Sequence, residues 1–163
     1  MHVQKDDLLI VLRCSSFQKH SFIDEHNEII KAKGSTWILK FGKEITNQAL
    51  KKLMSHGAHV LFRLSKREGG EIYYSKIQEC WNGRAKEGME FPPYYYKAAE
   101  CFEMDTIQGT WLKVSNIERV PQEYFPLFKL ASNNRDLVAV LNETRTSVIN
   151  VYCAGNIDID EGK

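Results

Sequence analysis

The sequence predicts one α+β domain built on a curved or closed mixed β-sheet, and three observations support this fold class. The chain has 163 residues, of which 43% are hydrophobic and 26% charged, the size and balance of a single globular domain. Strand-like and helix-like segments follow one another without an internal repeat or a linker. Several strand-like segments are joined by short turn-forming sequences, which favours hairpins. We expect the domain to cover residues 1–155 and an acidic, disordered tail to cover residues 156–163.

Strands and helices alternate in the first part of the chain. Residues 7–13 are a continuous apolar run, which is typical of a strand buried on both faces. Apolar residues then recur at helical spacing between Ser21, a suitable N-cap, and Gly34, a suitable terminator. β-branched and aromatic residues favour a strand after Gly34, a second apolar stripe favours a helix that ends at Gly57, and alternation favours another strand. In order, these patterns predict a strand over 7–13, a helix over 21–33, a strand over 35–42, a helix over 45–54 and a strand over 58–66.

A turn-forming segment opens the second part of the chain. Residues 67–70 (Arg-Glu-Gly-Gly) supply the positive φ angles of a tight reversal, so residues 71–81 are expected to return antiparallel. Residues 82–95 contain two glycines and two prolines, which predict a long exposed loop of the kind that often carries function. The remaining predicted elements are strands over 95–104, 110–120 and 146–153, a turn at 108–109, and short helices over 121–131 and 135–141.

The composition excludes several classes of protein. No apolar run approaches the roughly 18 residues that span a bilayer, and Asp6 and Asp7 interrupt the segment where a signal peptide would be apolar. We therefore expect a cytoplasmic protein without a membrane partner. The cysteines are far apart and form no Cys-x-x-Cys pair, so we expect reduced thiols at Cys14, Cys80, Cys101 and Cys153.

Positive charge is concentrated in one segment. Residues 31–67 hold nine lysines and arginines but one acidic residue, Glu44, a local net charge of +8 in a chain whose net charge is +1. Clustered cations repel one another unless an anionic partner meets them, although solvated helix faces also carry many lysines. The candidate phosphate-binding residues are Lys40, Lys43, Lys51, Lys52, Arg63 and Arg67.

Signatures of metal sites, nucleotide cofactors and nucleophilic catalysis are missing from the sequence. His20 and His26 stand near Cys14, and His56 and His59 are three residues apart, but no second pair follows at zinc-finger spacing. We therefore expect surface or core histidines and no metal. No glycine-rich phosphate loop and no familiar nucleophile motif occurs, so we expect no cofactor and no catalytic residues.

The three tryptophans stand next to polar or basic residues rather than inside apolar runs. Trp37 follows Ser-Thr, Trp81 precedes Asn-Gly-Arg, and Trp111 follows Gly-Thr. Aromatic faces beside cations suit the binding of unstacked bases, because stacking contributes roughly 1 to 3 kcal/mol per base. The same faces would suit a cage around a methylated group, and the simplest alternative is that all three rings pack in the core.

Three segments resemble the PUA-like superfamily, particularly its EVE and YTH branches. They are Gly34-Ser-Thr-Trp37, the segment from Gly109 to Pro121 that contains Trp111, and the segment from Glu143 to Val151. The resemblance extends over roughly residues 7–153. It implies a small mixed β-barrel flanked by helices, and it implies recognition of modified bases in DNA or RNA by flipping the base into an aromatic cage.

The resulting hypothesis is a non-catalytic module that binds a modified or flipped base of DNA or RNA. Trp37, with Trp111 or Trp81, would stack on the base, and small polar residues would contact its hydrogen-bonding edge, namely Ser35, Thr36 and Asn82. An effector nuclease is a further expected partner. One alternative is an enzyme like those of the related ASCH branch, with its catalytic groups among Lys40, Lys66, Glu71 and Glu79. Another is a protein-interaction domain whose basic face meets an acidic partner.

Overall fold

The computed structural model contains β-strands and both α- and 3₁₀ helices. It describes residues 1–14, 16–66, 70–98, 107–144 and 146–160. The strands are β1 (His2–Val3), β2 (Leu8–Cys14), β3 (Thr36–Phe41), β4 (His59–Leu64), β5 (Ile72–Arg84), β6 (Gln108–Val114), β7 (Glu118–Arg119), β8 (Phe128–Leu130), β9 (Val148–Cys153) and β10 (Ile157–Asp158). The α-helices are α1 (Phe22–Lys33), α2 (Asn47–Ser55), α3 (Tyr94–Ala98) and α4 (Leu137–Glu143), and a 3₁₀ helix covers Gln122–Leu127. The predicted α+β class is confirmed.

The chain forms two compact units, each built from separated segments. The first unit comprises Met1–Cys14, Lys52–Ser75 and Glu118–Lys163, and the second comprises Ser15–Lys51 and Lys76–Ile117. Strand β5 contributes its beginning to the first unit and its end to the second. The predicted single domain over residues 1–155 stays a prediction.

A parallel pair of strands is central to the first unit. β2 pairs parallel with β4 on one side and antiparallel with β9 on the other, and β9 pairs in turn with β8. The beginning of β5 pairs with β7, and β1 pairs with β10 in a separate two-stranded sheet. Residues Leu9–Leu12 of β2 are at most 3% exposed, which confirms the strand buried on both faces that the apolar run predicts. The core of this unit includes Val11, Leu61, Phe128 and Val151.

An antiparallel ladder organises the second unit. β3 pairs with β6, and β6 pairs with the end of β5. The outer edge of β3 is covered rather than open, because the amide of Trp37 donates to the carbonyl of Glu90 (2.8 Å) and the amide of Leu39 donates to the hydroxyl of Tyr95 (3.4 Å). The core is rich in aromatic rings, including Trp37, Tyr95 and Trp111.

Helix α1 has the ends that the sequence predicts. The Ser21 hydroxyl accepts a hydrogen bond from the amide of Asp24 (3.2 Å), which satisfies one of the free donors of the first turn. Gly34 has a left-handed conformation (φ +88°), and its amide donates to the carbonyl of Ile30 (2.7 Å).

Five predicted elements differ from the structure. The loop predicted to be exposed over 82–95 is entered by the end of β5 and the start of α3, and Ala85, Met89 and Phe91 are buried. Helix α3 occupies the start of the strand predicted over 95–104, the rest of which lies outside the described residues. The turn predicted at 108–109 lies inside β6, and the helix predicted over 121–131 is a 3₁₀ helix followed by β8. The tail predicted to be disordered over 156–163 instead begins with β10, in which Ile157 is 2% exposed and belongs to the first unit's core.

The described strand pairings leave the ladder of each unit open. In the second unit the ladder runs β3, β6, β5, and in the first it runs β5, β4, β2, β9, β8. A closed barrel is therefore not among the described pairings. Within the described ranges, every helix is too short or too polar to cross a bilayer.

Candidate functional site

The three tryptophans lie on one face of the second unit's sheet. Leu39, Trp111 and Trp81 are successive register partners across β3, β6 and β5, and Trp37 lies two residues before Leu39. Side chains two residues apart on a strand share a face, so the sequence-predicted rings are brought to the same side. Trp37 is 7% exposed and Trp111 is fully buried, whereas Trp81 is half-buried. Trp81 is therefore the tryptophan that a ligand can reach without displacing the core.

The indole ring of Trp81 is fixed between a glycine and a lysine. Its Nε1–H donates to the carbonyl of Arg84 (2.7 Å), which sets the ring plane. A Cβ atom at Gly83 would lie 3.2 Å from the ring, so the ring rests directly on backbone that carries no side chain. The Nζ atom of Lys86 lies 3.8 Å from the ring centroid. An exposed ammonium group thus covers the indole.

A second aromatic ring lies at the same end of this sheet. Phe41, Gly109 and Gly83 form a register row two residues beyond the Leu39–Trp111–Trp81 row, so Phe41 is on the face that carries Trp81. Phe41 is 40% exposed and is the exposed large hydrophobic residue of the described chain. Its inner side contacts the ring of Tyr95, edge to face, at a centroid distance of 5.7 Å.

Four cations lie in or next to the strand ends that carry these two rings. The Nζ atom of Lys40 donates to the carbonyl of Lys43 (2.5 Å) and to that of Phe41 (3.3 Å), which holds the turn after β3. Arg84 and Lys86 follow from the end of β5 and are exposed. The same two connections carry Glu44, Glu87 and Glu90, so the four cations Lys40, Lys43, Arg84 and Lys86 exceed the acids by one.

Two of the polar residues predicted to contact a base edge lie on the opposite face of the sheet, and the third directly precedes β3. The Asn82 amide donates to the carbonyl of Ile45 (2.6 Å) and to Oδ1 of Asn47 (2.9 Å), and it accepts from the Thr110 hydroxyl (2.6 Å). The fully buried Thr36 donates to the carbonyl of Glu90 (3.1 Å), and Ser35 is half-buried just before β3. Asn82 and Thr36 thus have structural hydrogen bonds, and their predicted contact with a base stays a prediction.

The predicted phosphate-binding residues are divided between the two units. Lys40, Lys43 and Lys51 belong to the second unit, Lys52 and Arg63 belong to the first, and Arg67 lies outside the described residues. Lys43, Lys51 and Lys52 are exposed, and Lys40 and Arg63 are half-buried. The block of charge that is continuous in sequence is therefore not one described surface.

Two of the groups named for an enzymatic alternative are separated within the second unit. Lys40 and Glu79 lie on opposite faces of the second unit's sheet, since Lys40 shares a register row with Asn82 and Glu79 shares one with Lys113. In the first unit Glu71 accepts from the Tyr73 hydroxyl (2.8 Å) and pairs with Arg119 (3.2 Å). Among the described ion pairs, none joins Lys40 or Lys66 to Glu71 or Glu79.

Two buried histidines hold polar networks that the sequence did not predict. His26 is fully buried, with Nδ1 2.6 Å from the carbonyl of Phe22 and Nε2 hydrogen-bonded to the Tyr95 hydroxyl. Burial lowers the pKa of His26 to about 4, against a smaller raising effect of the hydrogen bond to Phe22. His26 stands at an apolar position of the helical pattern, which is the sequence signal for a core histidine.

His59 forms a second network in the first unit. Its Nδ1 lies 2.7 Å from the Tyr74 hydroxyl and its Nε2 lies 2.8 Å from Oδ2 of Asp7. Burial raises the pKa of the Tyr74 phenol, and the charges of Glu118 and Asp7 add to the rise. His59 and Tyr74 are at most 4% exposed, so this relay is closed to a substrate.

Burial makes two of the described cysteine thiols poorly reactive. Cys14, Cys80 and Cys153 form no disulfide in the described structure. Burial, with the Glu79 charge, raises the pKa of Cys80 to about 11, and burial is also the main cause that raises the pKa of Cys153. Since the thiolate is the nucleophile, neither group suits nucleophilic catalysis at neutral pH.

One surface group has ligand atoms close enough to hold a metal ion. His2 and Asp158 are register partners of β1 and β10, and Asp160 lies two residues further on the same face. Their ligand atoms lie within 4.8 Å of one another, and all three residues are exposed. Solvent competes for every one of these groups, so the geometry by itself favours no metal.

Comparisons of this chain with protein-family models, with curated proteins and with solved structures return no match. The PUA-like assignment therefore stays a resemblance. Sequence reasoning missed Phe41 and Lys86 as site residues. The signal for Phe41 was its position between Lys40 and Gly42-Lys43, where the strand gives way to a turn.

Proposed function

We propose that the protein is a non-catalytic module that binds an unstacked nucleobase of DNA or RNA on the second unit, with Trp81 and Phe41 as its stacking surfaces. The observation that carries the proposal is the state of the Trp81 indole. The ring is accessible, its orientation is fixed by the hydrogen bond to the Arg84 carbonyl, and the ammonium group of Lys86 covers it at a position that a base can take. Phe41 offers a second accessible ring on the same face.

The energies favour exchange of the lysine for a base. A cation–π contact at an exposed site contributes about 0.5 to 1 kcal/mol. Base stacking on an aromatic side chain contributes roughly 1 to 3 kcal/mol. The stacking free energy of a base on the Trp81 ring therefore exceeds the cation–π free energy that is lost when the base displaces Lys86. The released ammonium group remains beside the ligand and can contact a phosphate.

The cations at the end of the sheet supply the phosphate contacts. Each neutralised phosphate of a single strand contributes a slope of roughly −0.7 to the dependence of log affinity on log salt concentration. Contacts by Lys40, Lys43, Arg84 and Lys86 would thus give a slope of about −3. Lys51 is exposed on α2 and belongs to the same unit.

Four finer points belong to the same proposal. The PUA-like resemblance supports a sheet that curves into a small barrel and a base that is modified or flipped out of a duplex. A cytoplasmic location is part of the same proposal. A binding module without catalytic groups would act beside an effector, for which a nuclease is the expected class. Separation of Lys40 from Glu79 supports the non-catalytic assignment.

The test is fluorescence anisotropy of labelled single-stranded and duplex oligonucleotides, with and without methylated bases, at two salt concentrations. We expect Trp81→Ala and Phe41→Ala each to weaken single-strand binding about 5- to 150-fold, the equivalent of one lost stacking contact. Lys86→Gln should reduce the salt slope by about 0.7. Stronger binding of one methylated base would identify the modification.

The matched control is Tyr152→Ala, which removes a half-buried aromatic ring from the first unit. This variant should bind like the wild type, and circular dichroism should show all variants folded. If folded Trp81→Ala and Phe41→Ala bind every oligonucleotide within twofold of the wild type, the proposed site is wrong. If the wild type binds none of them, the proposed function is wrong.

A further inference from the structure

Two arginines stand side by side where β2 and β4 end in the first unit. Arg13 and Arg63 are register partners of this parallel pair, on neighbouring strands about 4.8 Å apart. Register partners in a sheet share a face, so the two side chains leave the sheet on the same side. Both residues are half-buried.

Arg13 is held in place by neutral acceptors. Its Nε–H donates to the carbonyl of Thr146 (3.0 Å), and its Nη2 donates to the carbonyls of Leu141 (2.8 Å) and Thr144. These carbonyls lie at and just beyond the end of α4, where a cation is favoured. The guanidinium is thereby positioned, but no carboxylate among the described residues neutralises its charge.

Arg63 keeps its terminal nitrogen atoms available. Its Nε–H donates to the carbonyl of Leu64 (3.1 Å), and no described carboxylate forms an ion pair with it. A Cβ atom at Gly70 would lie 2.9 Å from Nη2, so the glycine leaves room beside the guanidinium. Burial, and then the charge of Arg13, lowers the pKa of Arg63, because both effects oppose its charged form. Two half-buried like charges with no counter-ion among the described residues are a site prepared for an anion.

We propose that Arg13 and Arg63 form a binding site for a phosphate monoester group. A phosphate monoester carries about −1.5 to −2 charges at pH 7 and three strong acceptor oxygens, which matches two guanidinium groups. A carboxylate or a phosphodiester carries a single negative charge and would leave one arginine uncompensated. The planar fork of Arg63 suits bidentate bonding to two phosphate oxygens. The site lies in the first unit and does not rest on base binding by Trp81 in the second.

The test is the thermal unfolding midpoint in phosphate-free buffer, with and without about 10 mM of each anion at constant ionic strength. The anions are phenyl phosphate, adenosine 5′-monophosphate, diethyl phosphate and acetate. We expect phenyl phosphate to raise the midpoint of the wild type by about 2 °C or more, and diethyl phosphate and acetate to raise it much less. A larger rise with the nucleotide than with phenyl phosphate would identify a nucleotide as the source of the phosphate, and an equal rise would identify the phosphate alone.

Two arginine variants of the first unit make a matched pair. Arg63→Gln should abolish the rise, and its midpoint without ligand should equal or exceed that of the wild type, because a half-buried like charge has been removed. Arg135→Gln removes a guanidinium that Glu143 already neutralises (2.7 Å), and it should retain the rise. A full response in Arg63→Gln, or an equal response of the wild type to all four anions, would overturn the proposal. Should Arg63→Gln fail to fold, Arg63→Lys decides, since a reduced rise supports the bidentate site and a full rise refutes it.

Discussion

Acid should destabilise this protein through His26, because the hydrogen bonds of the buried ring require its neutral form. The carbonyl of Phe22 can only accept a hydrogen bond, so Nδ1 of His26 carries the proton that lies between them (2.6 Å). Nε2 is then the acceptor for the Tyr95 hydroxyl, and Tyr95 in turn accepts from the amide of Leu39 (3.4 Å). Protonation of Nε2 would turn this acceptor into a donor, and the Tyr95 hydroxyl could then no longer donate its proton to Nε2.

The size of the effect follows from the two pKa values of His26. The pKa is about 4 in the folded protein, where burial opposes the charge, and 6.5 in the unfolded chain. Between these values the unfolded state binds more protons than the folded state, so the free energy of unfolding falls as the pH falls. The contribution is fully present above pH 6.5 and is lost by about pH 4, a total of about 3 kcal/mol.

The assay is urea unfolding of the wild type and of His26→Gln at several pH values from 7.5 to about 4. The glutamine does not titrate in this range, so the pH dependence of the variant should be weaker by about 3 kcal/mol over the window. At pH 7.5 the variant should itself be less stable by about 1 to 3 kcal/mol, because the buried Tyr95 and Phe22 groups lose their partner.

The matched control for the pH series is His56→Gln, which removes an exposed imidazole. Carboxylates titrate in both variants and in the wild type, so the comparison isolates the contribution of the buried ring. If His26→Gln and the wild type lose stability in parallel between pH 6.5 and pH 4, the argument from the buried network is refuted.

Three further predictions concern stability and can be checked by the same urea unfolding at pH 7. Gly109→Ala should cost more than about 2 kcal/mol, because a Cβ would lie 2.3 Å from the carbonyl of Lys40, whereas a loss under 0.5 kcal/mol would show that the strands can separate at little cost. Ser21→Ala should cost about 1 kcal/mol through loss of the N-cap of α1, and no change would mean that water replaces the cap. Tyr74→Phe should cost about 1 to 3 kcal/mol by leaving Nδ1 of the buried His59 without its hydroxyl partner, and an unchanged midpoint would contradict that dependence.

Local signals were sufficient where the determinants of an element are themselves local. Helix α1 was predictable because the hydroxyl of Ser21 and the conformational freedom of Gly34 act within one turn of the helix ends. Strand β2 was predictable because a strand with neighbours on both faces must be apolar throughout. Neither inference required knowledge of the partner strands, which in β2 include a parallel one, β4.

Tertiary contacts decided the elements that the sequence did not predict. The run of three tyrosines favours a strand by propensity, yet Tyr94–Ala98 is a helix that begins after two prolines. The helix directs the Tyr95 hydroxyl toward His26 and the amide of Leu39, and these partners are distant in sequence. Gly109 suggested a turn but lies within β6, where the close approach of the Lys40 carbonyl requires a residue without a side chain.

The candidate site was predictable as a composition but not as an arrangement. Sequence alone could place the tryptophans near strand ends, but their exposure depends on the register of three strands. That register buries Trp111 between Leu39 and Trp81 and leaves the ring of Trp81, on an outer strand of the three, accessible. The row of Phe41 and two glycines is the last in which all three strands pair, which is why an aromatic residue that drew no attention in the sequence is exposed.

The position of a positive charge in the fold, rather than its position in the sequence, decides whether it can hold an anion in this chain. The basic segment over residues 31–67 is continuous in sequence, but the boundary between the two units falls within it, at Lys51 and Lys52 of α2. A net charge summed along a sequence therefore does not by itself give the charge of one compact unit. What distinguishes Arg63 from the lysines is its environment, because it is half-buried beside a second arginine while the lysines of α2 are solvated. Solvated charges are screened by salt within about 8 to 10 Å, whereas a half-buried pair retains its preference for an anion. Anion binding by Arg63 should for this reason persist at salt concentrations that remove the contribution of Lys51 and Lys52.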